Sequence, residues 1–493
     1  MKTKHVKLVC FLLVTAIFLS LAASCANDTA KDRETPESSF VSVGNEEETT
    51  TANYLEQLPA EDFDAAEIRI VAYHTPDWAN FWMEEVTGDV INDAVRQRDI
   101  IIEDHYNVKF VNIIADGGNI NGMITKAVSS EDDAYDVGMT MMSAGVNTLA
   151  PGGYLYNLSD VPHLTLDSEW WNKSIHDNMS IDGVQYFTTG PFSRIYFMTP
   201  IAMMFNRQMI TDYNLDNPYD LVREEKWTLE KMFSMMTGIE QDLNNDGKMD
   251  KNDKYGYCFD GTVVQAMYVG SGINAISVDG DGEYSLNVAN SQTVDFVNKV
   301  RPVFSDRSRT YFDSKSDNSG AEIFRNGNSL FVDFTILGVM LMFREMEYDY
   351  GIIPFPKYDE NQSQHYATCN TWLPNAVVIP KTSANAEMTG LILEAAAWQS
   401  YVTLTPAIYD TTLQGKLARD SDSEYMLDLI YANTSFDFNT VFDFGGSNWL
   451  IKEIVCGQKK GEFISSYESI RTKSENALDK FIEMCRSVED GTK

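Results

Sequence analysis

The sequence predicts an α/β fold in more than one domain, and three observations carry that reading. From residue 67 to residue 142 the chain alternates segments in the order strand, helix, strand, helix, strand, the pattern of a parallel sheet covered on both faces. Hydrophobic residues make up 44% and aromatics 12% of the 493 residues, enough to build a large core. The stretch from 60 to 493 is longer than one ordinary open sheet uses, so two domains are expected.

Taken in order, residues 67–73 alternate and carry β-branched side chains, a first strand that runs into a loop at 74–78. Val90, Ile91, Ala94, Val95, Ile101 and Ile102 then recur at helical spacing through His105. Residues 106–114 alternate as a second strand, 119–128 read as a helix and 135–142 as a third strand. Later strands are expected at 184–188, 195–206, 329–334, 350–354 and 376–380. Helices are expected at 228–241, 291–304, 386–402, 424–433 and 468–487.

The start of the chain says where it works. Lys2, Lys4 and Lys7 precede an uncharged apolar run over 8–24 that ends in small residues, the signature of a secretory signal; an uncleaved anchor is the weaker alternative because the run is short. Residues 26–59 shift to Asp, Glu, Thr, Ser and Asn with few large apolar side chains, a solvated tether. The formal charge of −35 repels phosphate backbones and anionic headgroups, which excludes nucleic acid and polybasic membrane docking. Beyond Cys10 and Cys25, the thiols are Cys258, Cys369, Cys456 and Cys485, none in a CxxC pair, so no metal knuckle is expected. At least two of them read as free buried thiols, with one or two disulfides left open.

Leu21-Ala22-Ala23-Ser24 followed by Cys25 resembles the lipobox of bacterial lipoproteins, with Ala22 and Ser24 departing from its usual pattern. The resemblance implies cleavage after residue 24 and diacylglycerol on the Cys25 sulfur. Tyr135-Asp136-Val137-Gly138, then Gly152-Gly153-Tyr154-Leu155, then Trp170-Trp171-Asn172 with Ile181-Asp182-Gly183 follow one another in the chain. Phe205-Asn206-Arg207, Trp227-Thr228-Leu229-Glu230, Phe324-Arg325-Asn326-Gly327 and Tyr350-Gly351-Ile352-Ile353-Pro354-Phe355-Pro356 come after them. In that order these fragments resemble the extracellular solute-binding proteins of ABC transporters, in the sugar-binding group (family 1). The resemblance implies a two-lobed periplasmic-binding-protein-like fold (type II), with crossing strands as the hinge near 190–197 and 330–335. On that reading 1–24 is the signal and 25–59 the lipidated tether. The first lobe holds 60–190 plus 334–385, and the second 191–333 plus 386–493. It also implies a monomer on the outer face of a bacterial membrane, touching the membrane only through its lipid and passing a carbohydrate, an oligosaccharide, to permease subunits.

The most specific local signal is residues 242–253. Asp242, Asn244, Asp246, Asp250 and Asp253 stand at places 1, 3, 5, 9 and 12 of a twelve-residue loop, with Gly247 at place 6 where the backbone turns sharply and Lys248 offering its carbonyl at place 7. Carboxylates packed this closely repel one another unless a hard cation sits among them, so a structural Ca²⁺ is expected. Asp253 replaces the usual closing Glu, and a solvated acidic turn is the alternative.

Sugars present flat C–H faces and a rim of hydroxyls, so a site for them needs aromatic platforms with polar partners, placed at the carboxyl ends of strands. On that ground the candidates are Tyr73, His74 and Trp78 after the first strand and Ser143 after the third. Phe192, Arg194 and Asp333 lie at the expected crossings, and Trp372 and Trp449 stand among loop-like neighbours. The family resemblance adds Gln265 and Tyr268 from the second lobe. Trp170, Trp171, Trp227 and Trp398 read as structural. Two other classes fit an exported acidic chain: a secreted glycoside-active enzyme and a calcium-dependent surface interaction module. No GxSxG elbow, HExxH helix or glycine-rich phosphate loop appears, so no enzyme is expected.

Overall fold

Alternation in the first segment buries Ile68, Ile70 and Val71 against opposite layers, and such two-sided burial makes a central strand. In the computed structural model, residues 53–73, 81–115, 118–344, 346–409 and 420–489 are described, and all of them belong to one contact unit. Along the chain come β1 (Ala66–Tyr73), β2 (Val108–Ala115), β3 (Val137–Thr140), β4 (Ile201–Asn206) and β5 (Tyr255–Asp260). A small hairpin follows, β6 (Ile276–Val278) with β7 (Tyr284–Leu286). The series closes with β8 (Thr310–Asp313), β9 (Ser329–Thr335), β10 (Tyr350–Ile353) and β11 (Ala376–Val378).

These strands build two main sheets. The first has the order β11-β3-β1-β2, with β1, β2 and β3 parallel and β11 antiparallel at its edge. The second has the order β10-β4-β9-β5-β8, with β5 parallel to β8 and β9 and β4 antiparallel to both its neighbours. The helix Val90–Tyr106 crosses from β1 to β2, opened by the Asp89 carboxylate on the amides of Ile91 and Asn92 and closed by Asn107 in the left-handed region. All four described cysteines are free and buried.

Several boundaries differ from the sequence expectation, each for a tertiary reason. The expected strand at 184–188 has only single bridges, such as Thr188 to Val377, because the segment lies across a sheet edge. Of the expected strand 195–206 the first part coils into the 3-10 helix Arg194–Met198, and β4 starts at Ile201. Residues 330–335, expected as a second crossing, lie inside β9 between β4 and β5. The return to the first sheet comes after β10, because β10 pairs with β4, and it passes a bridge from Pro200 to Cys369 before reaching β11. Residues 334–353 therefore belong with the second sheet. The helix Ala386–Ile408, expected in the second lobe, packs instead along Val90–Tyr106 on the first. From Ser421 onward the helices cover the second sheet and its flank.

Candidate ligand cleft

The carboxyl ends of the parallel strands of both sheets converge. On the first wall β1 ends at Tyr73, and its neighbour β3 ends at Thr140. Burial pushes the Tyr73 phenol upward. Thr140 donates to Asn121 at 3.2 Å, and the chain turns into a short π-helix, Met142–Val146. Ser143, within it, is the meeting point of three segments. Its amide donates to the Thr371 carbonyl at 3.1 Å. Its hydroxyl shares a 2.5 Å hydrogen bond with Thr371 and reaches the Thr440 carbonyl at 3.4 Å. One small side chain thus joins the first sheet, the returning loop and a helix of the second side, Phe438–Phe442.

Next to Thr371 stands Trp372, 39% exposed, edge-on to Trp449, 38% exposed, with ring centroids 6.3 Å apart. The Lys452 ammonium sits 3.8 Å above the Trp449 ring, one helical turn on. Its stem lies against Gly261, where any side chain would collide with it, and burial lowers its pKa. Asp260, beside Gly261 at the end of β5, is bound by the amide of Thr262 at 2.7 Å. A continuous line thus runs from Ser143 through Trp372, Trp449 and Lys452 to Asp260, from one sheet to the other.

Not every residue singled out from sequence stands on that line. Phe192 is fully buried in the first core beneath the Arg98 guanidinium and offers no platform. Tyr268 is buried too, its hydroxyl bonded to Thr293 at 2.8 Å and its ring edge-on to Phe296. Arg194 is buried and donates to Asn92 at 2.6 Å, toward the first helix. Gln265 is half-buried on the helix Thr262–Gly270. Asp333 is buried below the wall, where Tyr257 donates to it at 2.8 Å; burial and the neighbouring Asp260 hold it well above the usual carboxylate range. His74, Trp78 and Cys25 lie outside the described residues. Thr371, Thr440, Lys452 and Asp260 were not singled out from sequence. Of these only Lys452 had a legible signal, its spacing of three from Trp449 on one helix face.

Beside the end of β1, Tyr73, Phe81, Met139, Ser193, Ile195 and Pro374 line a cavity of about 10 Å³. That is room for one water at most. A much larger hollow of about 680 Å³, lined by Arg325, Met340, Leu341 and Tyr348, lies elsewhere. Tyr348 packs on Gly327, which precedes β9, so this hollow is at the amino ends of the strands. Open α/β sheets hold ligands at the carboxyl ends, and we place the site there despite the size difference.

The loop at 242–253 is closed at its base by paired backbone bonds between Gln241 and Lys254. Asp242 Oδ2 accepts from the Gly247 amide at 2.8 Å, Asn244 from Asp246 at 2.9 Å and Asp246 from Lys248 at 2.9 Å. Asp253 is buried and spends its two oxygens on the amides of Leu243 and Asp250. Asp242 Oδ1 is buried without a partner. Among the described residues no three acidic, histidine or cysteine side chains converge as a ready metal cage.

No family model and no curated protein matches this chain. Solved structures do. The galacto-N-biose-/lacto-N-biose I-binding protein of an ABC transporter from Bifidobacterium longum, in complex with lacto-N-biose, superposes with TM-score 0.56 at 12% identity, over 85% of this chain and 99% of that one. The GacH receptor of Streptomyces glaucescens, studied with acarbose, gives 0.51 at 13% over 85% and 99%. The maltose-binding protein MalE of Listeria monocytogenes, in complex with maltose, gives 0.51 at 13% over 86% and 99%. At such identities the likeness speaks for architecture, and the chain has the two-lobed fold of the periplasmic binding proteins.

Proposed function

We propose that this protein is an extracytoplasmic solute-binding lipoprotein that captures a carbohydrate, an oligosaccharide, and delivers it to an ABC permease without altering it. The observation that carries this reading is the exposed Trp372–Trp449 pair, set where the strand ends of both sheets meet and flanked by Ser143, Lys452 and Asp260. Indole faces stack on the C–H faces of sugar rings while hydroxyls and charged groups take the rim. The three superposed proteins named above were solved or studied with saccharides or a saccharide analogue, which supports the ligand class. Capture follows from parting and closing of the two walls.

Diacylglycerol on Cys25 would hold the body at the outer membrane face, with the tether as spacer; its expected end at 59 moves back to 53, because Tyr54 bonds Glu394 and Leu55 is buried in the first core. Among the described residues no helix is long and apolar enough to cross a membrane. We also assign a structural Ca²⁺ to the 242–253 loop, supported by the partnerless Asp242 Oδ1. Asp242, Asn244, Asp246, Asp250 and the Lys248 carbonyl would hold it, and Asp253 would have to turn from its amides to close the shell.

The test is a thermal-shift screen of the mature protein against mono- and oligosaccharides, peptides and amines, with and without EDTA. One oligosaccharide is expected to raise the melting point with no new product on a chromatogram. Hydrolysis of that sugar, or stabilisation by peptides or amines alone, would falsify the reading. EDTA is expected to lower the melting point by itself, and an unchanged value removes the calcium.

A further inference from the structure

Trp449 lies in the first turn of the helix Ser447–Val455, and the way that turn is seated is unusual. Its formal cap, Gly446, has no side chain to accept the free amides of the helix start. The acceptor comes from further back. Asp443 Oδ1 takes the Asn448 amide at 2.9 Å and the Trp449 amide at 3.2 Å. To reach them Asp443 stands in the left-handed region, at φ 46° and ψ 51°, followed by Gly445 at φ 67° and Gly446 at φ 94°. Two of these three left-handed residues are glycines, which take the conformation freely, so the strain of the turn rests on Asp443 alone. The C-terminal helix packs against this turn: a side chain at Gly445 would meet the Ser474 backbone nitrogen at 2.7 Å.

We infer that Asp443 is the positioning residue of the ligand platform: its carboxylate oxygen, held by this turn, aims Trp449 at Trp372. The arrangement has a second support in Ser447, whose hydroxyl donates to Asn439 at 2.7 Å and pins the start of the same helix. Lys473 of the C-terminal helix and Glu453 of the Trp449 helix are the charged groups that act on Asp443, and its burial raises its pKa to about 6. The role belongs to the oxygen as acceptor and not to the charge, so an amide in its place does the same work. The functional meaning rests on reading Trp449 as a platform, while the geometry stands without it.

Two crossed indoles 6.3 Å apart give an exciton couplet in far-ultraviolet circular dichroism, and Trp372→Phe or Trp449→Phe each removes it, which calibrates the signal. Asp443→Asn keeps an acceptor and tolerates the left-handed region; Asp443→Gly tolerates it better and has no acceptor. The expected result is a wild-type couplet in the Asn variant. In the Gly variant the couplet falls to half or less and acrylamide quenches the exposed tryptophans faster, at unchanged helix content. A full couplet in the Gly variant overturns the inference, and so does its loss in the Asn variant. Collapse of helix content in the Gly variant also overturns it, since Asp443 would then hold the fold and not the platform. If no sugar binds the wild type, the proposed ligand class fails while the couplet result still decides this one.

Discussion

Two groups of tryptophans in this molecule make opposite use of the same side chain. Trp170 and Trp171 both donate their indole N–H to Glu394, at 2.9 and 2.8 Å, and Tyr54 packs tilted against Trp170, ring centroids 4.5 Å apart, and donates to the same carboxylate at 3.2 Å. Glu394 is fully buried on the helix Ala386–Ile408, and Thr165 gives it two further hydrogen bonds. Trp372 and Trp449 meet edge-on, Lys452 covers one face of Trp449, and among the described residues neither indole N–H has a protein partner. The first group is saturated and can only hold the fold. The second keeps open faces and open donors, which is what a ligand needs, and it costs the protein exposed apolar surface.

The largest expected effect is on the saturated group. Glu394→Ala strands the buried Trp171 indole and the half-buried Trp170 indole and removes the acceptor of Thr165, and roughly 3 kcal/mol of stability should be lost in denaturant unfolding, with sugar affinity of the folded fraction unchanged. Next, Trp449→Ala or Trp372→Ala should weaken binding of the stabilising oligosaccharide about tenfold by calorimetry, with stability within about 0.5 kcal/mol of wild type. The contrast breaks if these losses change places. A smaller effect concerns pH. Asp443 titrates near 6, above the ordinary 3.8, so its contribution to stability is full below 3.8 and is lost as pH rises through about 6. Melting curves should show wild type losing on the order of 1 kcal/mol relative to Asp443→Asn between pH 4 and 7. Least affected is Lys452→Met, which keeps the stem against Gly261 and gives up the cation over the ring; about 0.5 kcal/mol of stability should go.

Legibility from sequence differed by region. The β1–helix–β2 unit was readable because its periodicities are local and its partners follow at once, with β1 in register along the whole of β2. The helix 291–304 was readable to the residue. The return crossing was not, because β10 pairs with β4 across more than a hundred residues and no local pattern records that partner. The same holds for the cleft. Trp372 and Trp449 could be marked as candidates from their loop-like neighbours, Asn370-Thr371 and Gly445-Gly446-Ser447-Asn448. Phe192 and Tyr268 could not be told from platforms, since a buried and an exposed aromatic have the same sequence, and only the Arg98 and Thr293 contacts place them inside.

By itself the sequence determined the charge, the α/β class and the acidic loop at 242–253, because each depends on composition or on spacing within a few turns of chain. Only the tertiary structure decided that Ser143, Thr371 and Thr440 meet, that Glu394 silences one set of tryptophans, and that Asp443 turns another toward the cleft. Those facts are distances between residues far apart in the chain, set by how two sheets and their covering helices pack, and packing is a property of the whole body that no short window of residues contains.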